Sequence, residues 1–177
     1  MNKKVITKDN LCLISQKLKS EGKKIVTTNG SYDLFHCGHI MSLEFSKSLG
    51  DILIVGVNSD SSVKSYKGDN RPIIPENERL YILSALECVD YVCLFDEVEI
   101  GKPLIELVKP HIHTTSSEWG ENCPERKYID LYDVKLVLIP RIIEISTTDI
   151  IKRILECIDS DSQFKSKTLD EKRAALV

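Results

Sequence analysis

Glycine-rich phosphate-binding patterns are missing from this sequence of 177 residues. Neither GxGxxG nor GxxxxGK(S/T) occurs among its eight glycines. In dinucleotide-binding proteins and P-loop proteins, these patterns bring backbone N–H groups onto phosphate groups. Their absence argues against a dinucleotide-dependent dehydrogenase and against a P-loop kinase.

Long apolar runs and a large excess of one charge are missing as well. No apolar run approaches the roughly 20 residues that a membrane-spanning helix needs, and residues 1–5 contain no long apolar core of a secretory signal. The formal net charge is −3 and the pI is about 5.8, whereas a general nucleic-acid binder is usually basic. We therefore expect a cytoplasmic protein that binds neither membranes nor nucleic acid.

Paired cysteine motifs are the third absence. The chain has six cysteines at irregular spacing and no CxxC pair. This pattern predicts reduced thiols rather than a disulfide framework or a zinc site. The six are Cys12, Cys37, Cys88, Cys93, Cys123 and Cys157.

Apolar runs of strand length alternate with amphipathic segments of helix length. This alternation predicts an α/β fold, a Rossmann-like five-stranded parallel sheet with helices on both faces. The predicted strands are 24–28, 51–57, 90–95, 111–115 and 135–139, and the predicted helices are 9–20, 38–49, 76–88, 101–108, 123–131 and 147–158. We expect a single domain over 1–158, with a leading helix within 1–23. Residues 159–177 are expected to form a polar tail or a short helix on a partner subunit.

The segment His-Cys-Gly-His at residues 36–39 lies where the first predicted strand runs into a helix. A helix N-terminus offers unpaired N–H groups and a positive dipole end, which together favour phosphate. His36 and His39 could donate hydrogen bonds to a phosphate that gains charge during reaction, and Gly38 allows its close approach. The segment thus predicts phosphoryl or nucleotidyl transfer.

Residues 28–39 resemble the opening motif of the HxGH nucleotidyltransferase superfamily. Residues 57–60, 67–72, 78–79 and 85–90 resemble the bacterial heptose 1-phosphate adenylyltransferases, which make ADP-heptose. The box at residues 140–148 resembles the glycerol-3-phosphate cytidylyltransferase branch instead. The resemblance covers roughly residues 24–155 and implies transfer of a nucleoside monophosphate from an NTP to a small phosphate, with release of pyrophosphate.

The same resemblance implies roles for individual residues. Alternatives exist for several of them: Asp33 could fix a turn, Arg79 could form a surface ion pair, residues 146–148 could only cap a helix, and Trp119 could lie in the core. The implied catalytic residues are His36, His39, Lys67 and Arg79. The implied nucleotide-binding residues are Asn29, Gly30, Tyr32, Gly38, Glu118, Trp119, Arg141, Ser146, Thr147 and Thr148. The implied acceptor-binding residues are Asp33, Asn58, Lys64 and Arg71.

One departure from the heptose branch leaves the substrates open. Residues 115–119 read Thr-Ser-Ser-Glu-Trp, where that branch usually has Lys-Gly-Gly-Asp-Tyr. The longer middle run favours ATP with heptose 1-phosphate. The late motifs favour CTP with glycerol 3-phosphate or another small phosphate, and a non-catalytic nucleotide-binding protein is the alternative of another class.

The expected partners follow from the resemblance. Magnesium is expected to be held mainly by the triphosphate. A protein metal site is not expected, since the HxH pair at residues 111 and 113 has no evident third ligand. A homodimer and a separate sugar kinase complete the expectation.

Overall fold

The computed structural model of the protein describes residues 3–140, 143 and 145–160. They fall into a first unit within residues 1–144 and a second within 145–177. None of the helices in the described part of the chain is long and apolar enough to cross a membrane.

The first unit is built on six parallel strands in the order β1-β4-β3-β2-β5-β6. The predicted Rossmann-like parallel sheet is confirmed, with one strand more than the five expected. The additional strand pairs Val5 with Val92 and Ile6 with Cys93 at one edge, and two residues are too few to show a periodic pattern. The strands are β1 Val5–Ile6, β2 Ile25–Gly30, β3 Ile52–Asn58, β4 Tyr91–Phe95, β5 Ile112–Ser116 and β6 Lys135–Ile139.

The strand order reverses between β2 and β5. From β2 the chain builds outward through β3 to β4, and it then returns to place β5 on the other side of β2. In open parallel sheets, ligands bind outside the carboxyl ends of the strands at such a reversal. This crevice is therefore the expected position of a ligand site.

Helices cover both faces because side chains of successive strand residues point to opposite sides. Leu53 and Val55 pack in the cluster that includes Leu43 and Leu83 of α2 and α4. Ile54 packs in the cluster that includes helices α1 and α5 on the other face. The helices of the first unit are α1 Lys8–Ser20, α2 Cys37–Ser48, α3 Asp60–Lys67, α4 Glu76–Ala85, α5 Gly101–Val108 and α6 Arg126–Leu131.

Three helical segments differ from the prediction, and one of them, the helix predicted over 76–88, ends already at Ala85. Helix α3 was not among the predicted helices. Ser59 caps it by accepting a hydrogen bond from the Ser62 amide at 3.2 Å, and Gly68 ends it with φ +89°. The predicted helix 123–131 begins only at Arg126, because Ser117–Asn122 form a 3-10 helix whose Gly120 has φ +60°.

The second unit contains helix α7, Thr147–Ser160. Its end lies two residues inside the segment predicted as a polar tail. The rest of that segment, 161–177, and the predicted site residue Arg141 lie outside the described residues.

Candidate active site

Helix α2 begins seven residues after β2 ends, at the carboxyl edge of the sheet. His36 is its N-cap residue, with an extended backbone at φ −141° and ψ 168°. The first amides of a helix have no partner within the helix. The HCGH segment therefore presents N–H groups at the point where β2 and β5 diverge, as the sequence predicted.

The two imidazoles of this segment are stacked on each other. The ring centroids of His36 and His39 lie 3.9 Å apart at an interplanar angle of 24°. Phe35 stacks on His39 at 5.2 Å, and Tyr32 meets it edge-on at 5.4 Å. This packing fixes the orientation of both histidines.

Burial and charge keep these histidines neutral. Burial lowers the pKa of His39 to about 4, and the neighbouring Lys67 ammonium and the His36 ring, whose protonated form would repel a charged His39, act in the same direction. Burial also lowers the pKa of His36. The backbone N–H of His36 donates to Nδ1 of His39 at 3.4 Å, so the neutral His39 ring carries its proton on Nε2. His39 is thus a hydrogen-bond donor through Nε2, and its ring can gain charge beside an anion.

Asp33 anchors the segment that connects β2 to α2. It is 1% exposed and accepts hydrogen bonds from the amides of Ile73 and Ile74, both at 2.9 Å. Arg71 donates to it through Nε at 2.7 Å and forms an ion pair at 2.6 Å. Burial alone would raise the pKa of Asp33, but the Ile74 amide, Arg71 and the Ile73 amide outweigh it and hold the pKa below its usual value. The turn-fixing alternative describes this side chain, since its carboxylate is engaged within the protein.

Arg79 lies beneath the site rather than on its surface. The side chain is 1% exposed. Its guanidinium donates to the carbonyls of Ile74, Asn58 and Ser31, and it pairs with Asp60 at 2.8 Å. These bonds use four of the five guanidinium N–H groups. The surface ion-pair alternative is therefore wrong, and Arg79 joins the ends of β2, β3 and the loop before α4.

Lys67 stands at the end of α3, facing the same segment. Its ammonium lies 3.1 Å from the Ser31 hydroxyl. Partial burial and the positive charge of Arg71 lower its pKa, while Asp33 acts in the opposite direction. Lys64, one turn earlier on α3, is exposed. The structure thus brings Lys67 towards the histidines and leaves Lys64 at the surface.

Three residues predicted to bind ligands have side chains that the fold uses internally. Asn58 is 4% exposed, and its amide nitrogen donates to Ser62 at 2.8 Å. Tyr32 is 8% exposed, lies in the apolar core beside α2, and has φ +47°. Asn29 donates to Glu125 at 3.3 Å. Any direct contact of these three with a ligand stays a prediction.

Two glycines give the site its backbone shape. A Cβ on Gly30 would lie 3.3 Å from the Tyr32 ring, so a larger residue would press on that ring. Gly38 lies in the first turn of α2, and its carbonyl accepts from Ser42 at 2.8 Å.

Glu118 and Trp119 follow the carboxyl end of β5. They belong to the 3-10 helix Ser117–Asn122. Trp119 is 60% exposed, so the core alternative for this indole is wrong. The ring is accessible at the same sheet edge as Gly30.

Ser146, Thr147 and Thr148 open helix α7 of the second unit. Ser146 donates to Asp149 through its amide at 2.9 Å and its hydroxyl at 2.6 Å, and the Asp149 amide donates back to the hydroxyl at 3.2 Å. This reciprocal arrangement caps the helix. The capping role of Ser146 is therefore present, and phosphate binding by residues 146–148 stays a prediction.

The described residues contain no group of three or more His, Cys, Asp and Glu side chains that could hold a metal ion. His111 accepts a hydrogen bond from the Ile25 amide at 3.0 Å, and His113 faces Thr27 at 2.9 Å. Both members of the HxH pair thus have partners on β2. None of the six cysteines forms a disulfide.

Comparison with known proteins agrees with this geometry. The profile of the family described as Cytidylyltransferase-like matches residues 27–153. The chain belongs to this cytidylyltransferase-like family. The resemblance drawn from the motifs is thereby confirmed.

Curated relatives of this cytidylyltransferase-like chain are longer proteins. It is 41% identical over 157 residues to the bifunctional protein HldE of Pelobacter propionicus, which covers 86% of this chain and 31% of that protein. It is 42% identical over 156 residues to HldE of Aliarcobacter butzleri, and this match covers 88% of this chain and 32% of that protein. The chain spans about a third of the length of these relatives.

Solved structures show the same cytidylyltransferase-like fold. The lipopolysaccharide core biosynthesis protein from Thermoplasma volcanium is 33% identical with a TM-score of 0.55, covering 68% of this chain and 97% of that one. Pantoate-beta-alanine ligase from Francisella tularensis has a TM-score of 0.61 at 15% identity, and this match covers 94% of this chain and 82% of that one. The second similarity concerns the fold alone.

Sequence reasoning missed two residues at the mouth of this site. Ser31 supplies the hydroxyl that faces Lys67, and Tyr66 lies beside it, with its hydroxyl 3.5 Å from the side-chain oxygen of Asn58. Tyr66 is 45% exposed, and burial of its phenol raises its pKa. Because α3 was not predicted as a helix, the directions of its side chains relative to the site could not be predicted.

Proposed function

We propose that the chain is a nucleotidyltransferase that joins a nucleoside monophosphate from an NTP to a small phosphate ester. The observation that carries the proposal is the pair of stacked, neutral histidines at the N-terminus of α2, in the crevice where the strand order reverses. Helix amides and neutral imidazole donors match a triphosphate whose charge grows during reaction.

In the proposed reaction, a phosphate oxygen of the acceptor attacks the α-phosphorus of the NTP. A new P–O bond forms to the acceptor, the bond from the α-phosphorus to the bridging oxygen breaks, and pyrophosphate leaves with that electron pair. His39 donates through Nε2, and His36 lies against it with an Nδ1 that has no partner among the described residues. Both act on phosphate oxygens without forming a covalent intermediate.

Lys67 stabilises charge from the side of α3. Its ammonium lies next to Ser31 and close enough to His39 to lower the pKa of that imidazole. We assign it to the phosphate of the acceptor or of the NTP. Tyr66 beside it is exposed enough to contact the acceptor.

Asp33, Arg71 and Arg79 hold the segment between β2 and α2 in place. Their buried ion pairs and hydrogen bonds tie this segment to residues 73–74 and to the end of β3. Fixed donors need no reorganisation when charge develops, which lowers the barrier. These residues therefore contribute through positioning.

Magnesium fits this site as a companion of the triphosphate. The described residues offer no cluster of carboxylates for it, and Asp33 is engaged with Arg71. Magnesium commonly keeps few protein ligands beside substrate phosphates. When bound there, it would neutralise phosphate charge, while Lys67 and the two histidines supply the protein's donors.

We propose ATP and heptose 1-phosphate as the substrates. The support is the resemblance of residues 57–90 to the heptose branch, together with the similarity to HldE proteins and to a lipopolysaccharide core biosynthesis protein. The late motifs favour CTP with glycerol 3-phosphate as the second candidate. A cytoplasmic homodimer that takes its sugar 1-phosphate from a separate kinase completes the proposal.

The test is pyrophosphate release with ATP, CTP, GTP and UTP against heptose 1-phosphate, glycerol 3-phosphate and other small phosphates, with magnesium. We expect release with ATP and heptose 1-phosphate. Release with CTP alone would replace the proposed substrates by the second candidate. Nucleotide binding without release in any combination would overturn the proposed activity in favour of a non-catalytic nucleotide-binding protein.

The matched variants are His39→Asn and His111→Asn. We expect His39→Asn to lose about 100-fold or more in kcat while still binding nucleotide, since removing one transition-state donor costs about that much. His111 lies at the opposite, amino end of β5, so its variant should keep the activity. Equal activity of both variants would contradict the role of His39.

A further inference from the structure

A polar stripe interrupts the apolar packing between the sheet and helices α5 and α6. Thr27 of β2 and His113 of β5 are partners in register across the strand-order reversal. The Thr27 hydroxyl lies 2.9 Å from Nδ1 of His113, and both residues are 0% exposed. The stripe thus begins in the middle of the sheet.

The stripe continues to the carboxyl edge of the sheet. Asn29 lies two residues beyond Thr27, so its side chain points to the same face. It donates to Oε1 of Glu125 at 3.3 Å, and Glu125 is 8% exposed. Burial and the nearby Glu125 raise the pKa of the Cys123 thiol on the same side.

The fold leaves room for the Glu125 carboxylate at the start of α5. A Cβ built on Gly101 would lie 2.1 Å from Cγ and 2.9 Å from Oε1 of Glu125. A side chain at position 101 would have to displace that of Glu125. The carboxylate also lies at the positive end of the α5 dipole.

The stripe is expensive for the stability of the fold. Asn29 Oδ1, His113 Nε2 and Glu125 Oε2 are buried without a hydrogen-bond partner among the described residues. Burial lowers the pKa of His113, and the charge of Glu125 opposes this. A set of buried polar partners can often be replaced as a whole by apolar residues without loss of stability. Stability alone therefore gives no reason for a histidine and a glutamate here.

We propose that His113 and Glu125 are positioning residues for the proposed nucleotidyl transfer, and that they act on β2 through Thr27 and Asn29, respectively. The inference rests on the proposed function. Asn29 immediately precedes Gly30 and Ser31, which lead into the histidine segment. Asp33 and Arg79 hold that segment from the α4 side, and the stripe holds its origin from the α5 side. Two-sided support fixes the strand end from which the donors project.

The experiment compares His113→Leu, His113→Gln and Glu125→Gln, with His111→Leu and Asp130→Asn as controls. Asp130 is an exposed residue of α6. Melting temperature and steady-state kinetics are measured for each intact chain. We expect His113→Leu to melt at or above the wild-type temperature while kcat falls about 10-fold or more, because small misplacements of reacting groups have such effects.

His113→Gln separates positioning from packing. Its amide can still face Thr27, so we expect it to keep more activity than His113→Leu despite a lower melting temperature. Glu125→Gln should lower kcat and leave KM nearly unchanged, and both controls should keep the wild-type kcat. If the stripe has only a structural role, activity should follow the melting temperature, so that His113→Gln would be less active than His113→Leu.

Two results would overturn the inference without touching the proposed function. One is a wild-type kcat in His113→Leu, and the other is a parallel loss of activity and melting temperature across the series. A wild-type protein without any turnover would overturn the proposed function itself. Backbone amide NMR shifts then test the placement alone: His113→Leu should shift the amides of residues 30–37, and unchanged amides would refute it.

Discussion

Acid should destabilise this protein through His39. Its pKa of about 4 in the folded chain lies below the value of about 6.5 expected in the unfolded chain. Between these two values the unfolded state binds more protons, so stability falls as the pH is lowered from about 6.5 to about 4. Above about pH 7 the contribution is constant.

The size of the effect follows from the two pKa values. At about pH 5 the imidazole is almost fully protonated when unfolded and almost fully neutral when folded. The difference corresponds to a loss of about 2 kcal/mol of unfolding free energy relative to about pH 8. This value is an upper bound, because the ring is partly exposed and solvent screens its charge. His36 and His113 act in the same direction, because burial lowers the pKa of each.

The variant His39→Asn isolates the contribution. We expect its unfolding free energy to change less between about pH 8 and pH 5 than that of the wild type, by up to about 2 kcal/mol. Urea denaturation at the two pH values, followed by circular dichroism, measures this difference. His111→Asn serves as the matched control and should behave as the wild type. An equal acid-induced loss in His39→Asn and wild type, with equal slopes in urea, would refute the reasoning.

Three further substitutions test the supports of the site. Arg79→Met should lower the free energy of unfolding, measured by urea denaturation, by about 3 to 5 kcal/mol, because it leaves Asp60 and three carbonyls without their buried donor. A decrease below about 1 kcal/mol would mean that solvent replaces the guanidinium. Asp33→Asn should lower the melting temperature and raise the KM of the acceptor in the pyrophosphate assay, since Arg71 loses its ion pair; an unchanged KM would place the acceptor elsewhere. Gly101→Ala should displace Glu125 and lower the free energy of unfolding by about 1 to 3 kcal/mol. Its kcat should fall as in Glu125→Gln, and full activity would show that the carboxylate can move without effect on the reaction.

The sequence predicted the site best where its signals are local. The five longer strands, the start of α2 and the two histidines follow from short-range patterns. Helix α3 has local signals as well, since Ser59 caps it and Gly68 ends it, but its eight residues gave no recognisable period. The two-residue strand β1 depends entirely on its neighbour β4.

Burial was the property that local patterns could not supply. Arg79 and Asp33 are both charged, and nothing in their immediate sequence indicates that they are 1% exposed. Their partners lie far along the chain: Ser31 is 48 residues from Arg79, and Ile73 is 40 residues from Asp33. The partnership of Asn29 with Glu125 spans 96 residues. Such pairs can be predicted only when the order of the strands in the sheet is known.

The low pKa of His39 also has a consequence for ligand binding. A triphosphate beside stacked, neutral imidazoles favours their charged forms, so nucleotide binding should draw protons from the solvent. Calorimetric binding heats would then change with the ionisation enthalpy of the buffer, and nucleotide affinity would rise as the pH falls towards 6. The same acid that weakens the fold would tighten the complex, and nucleotide would protect the protein most strongly where it is least stable alone.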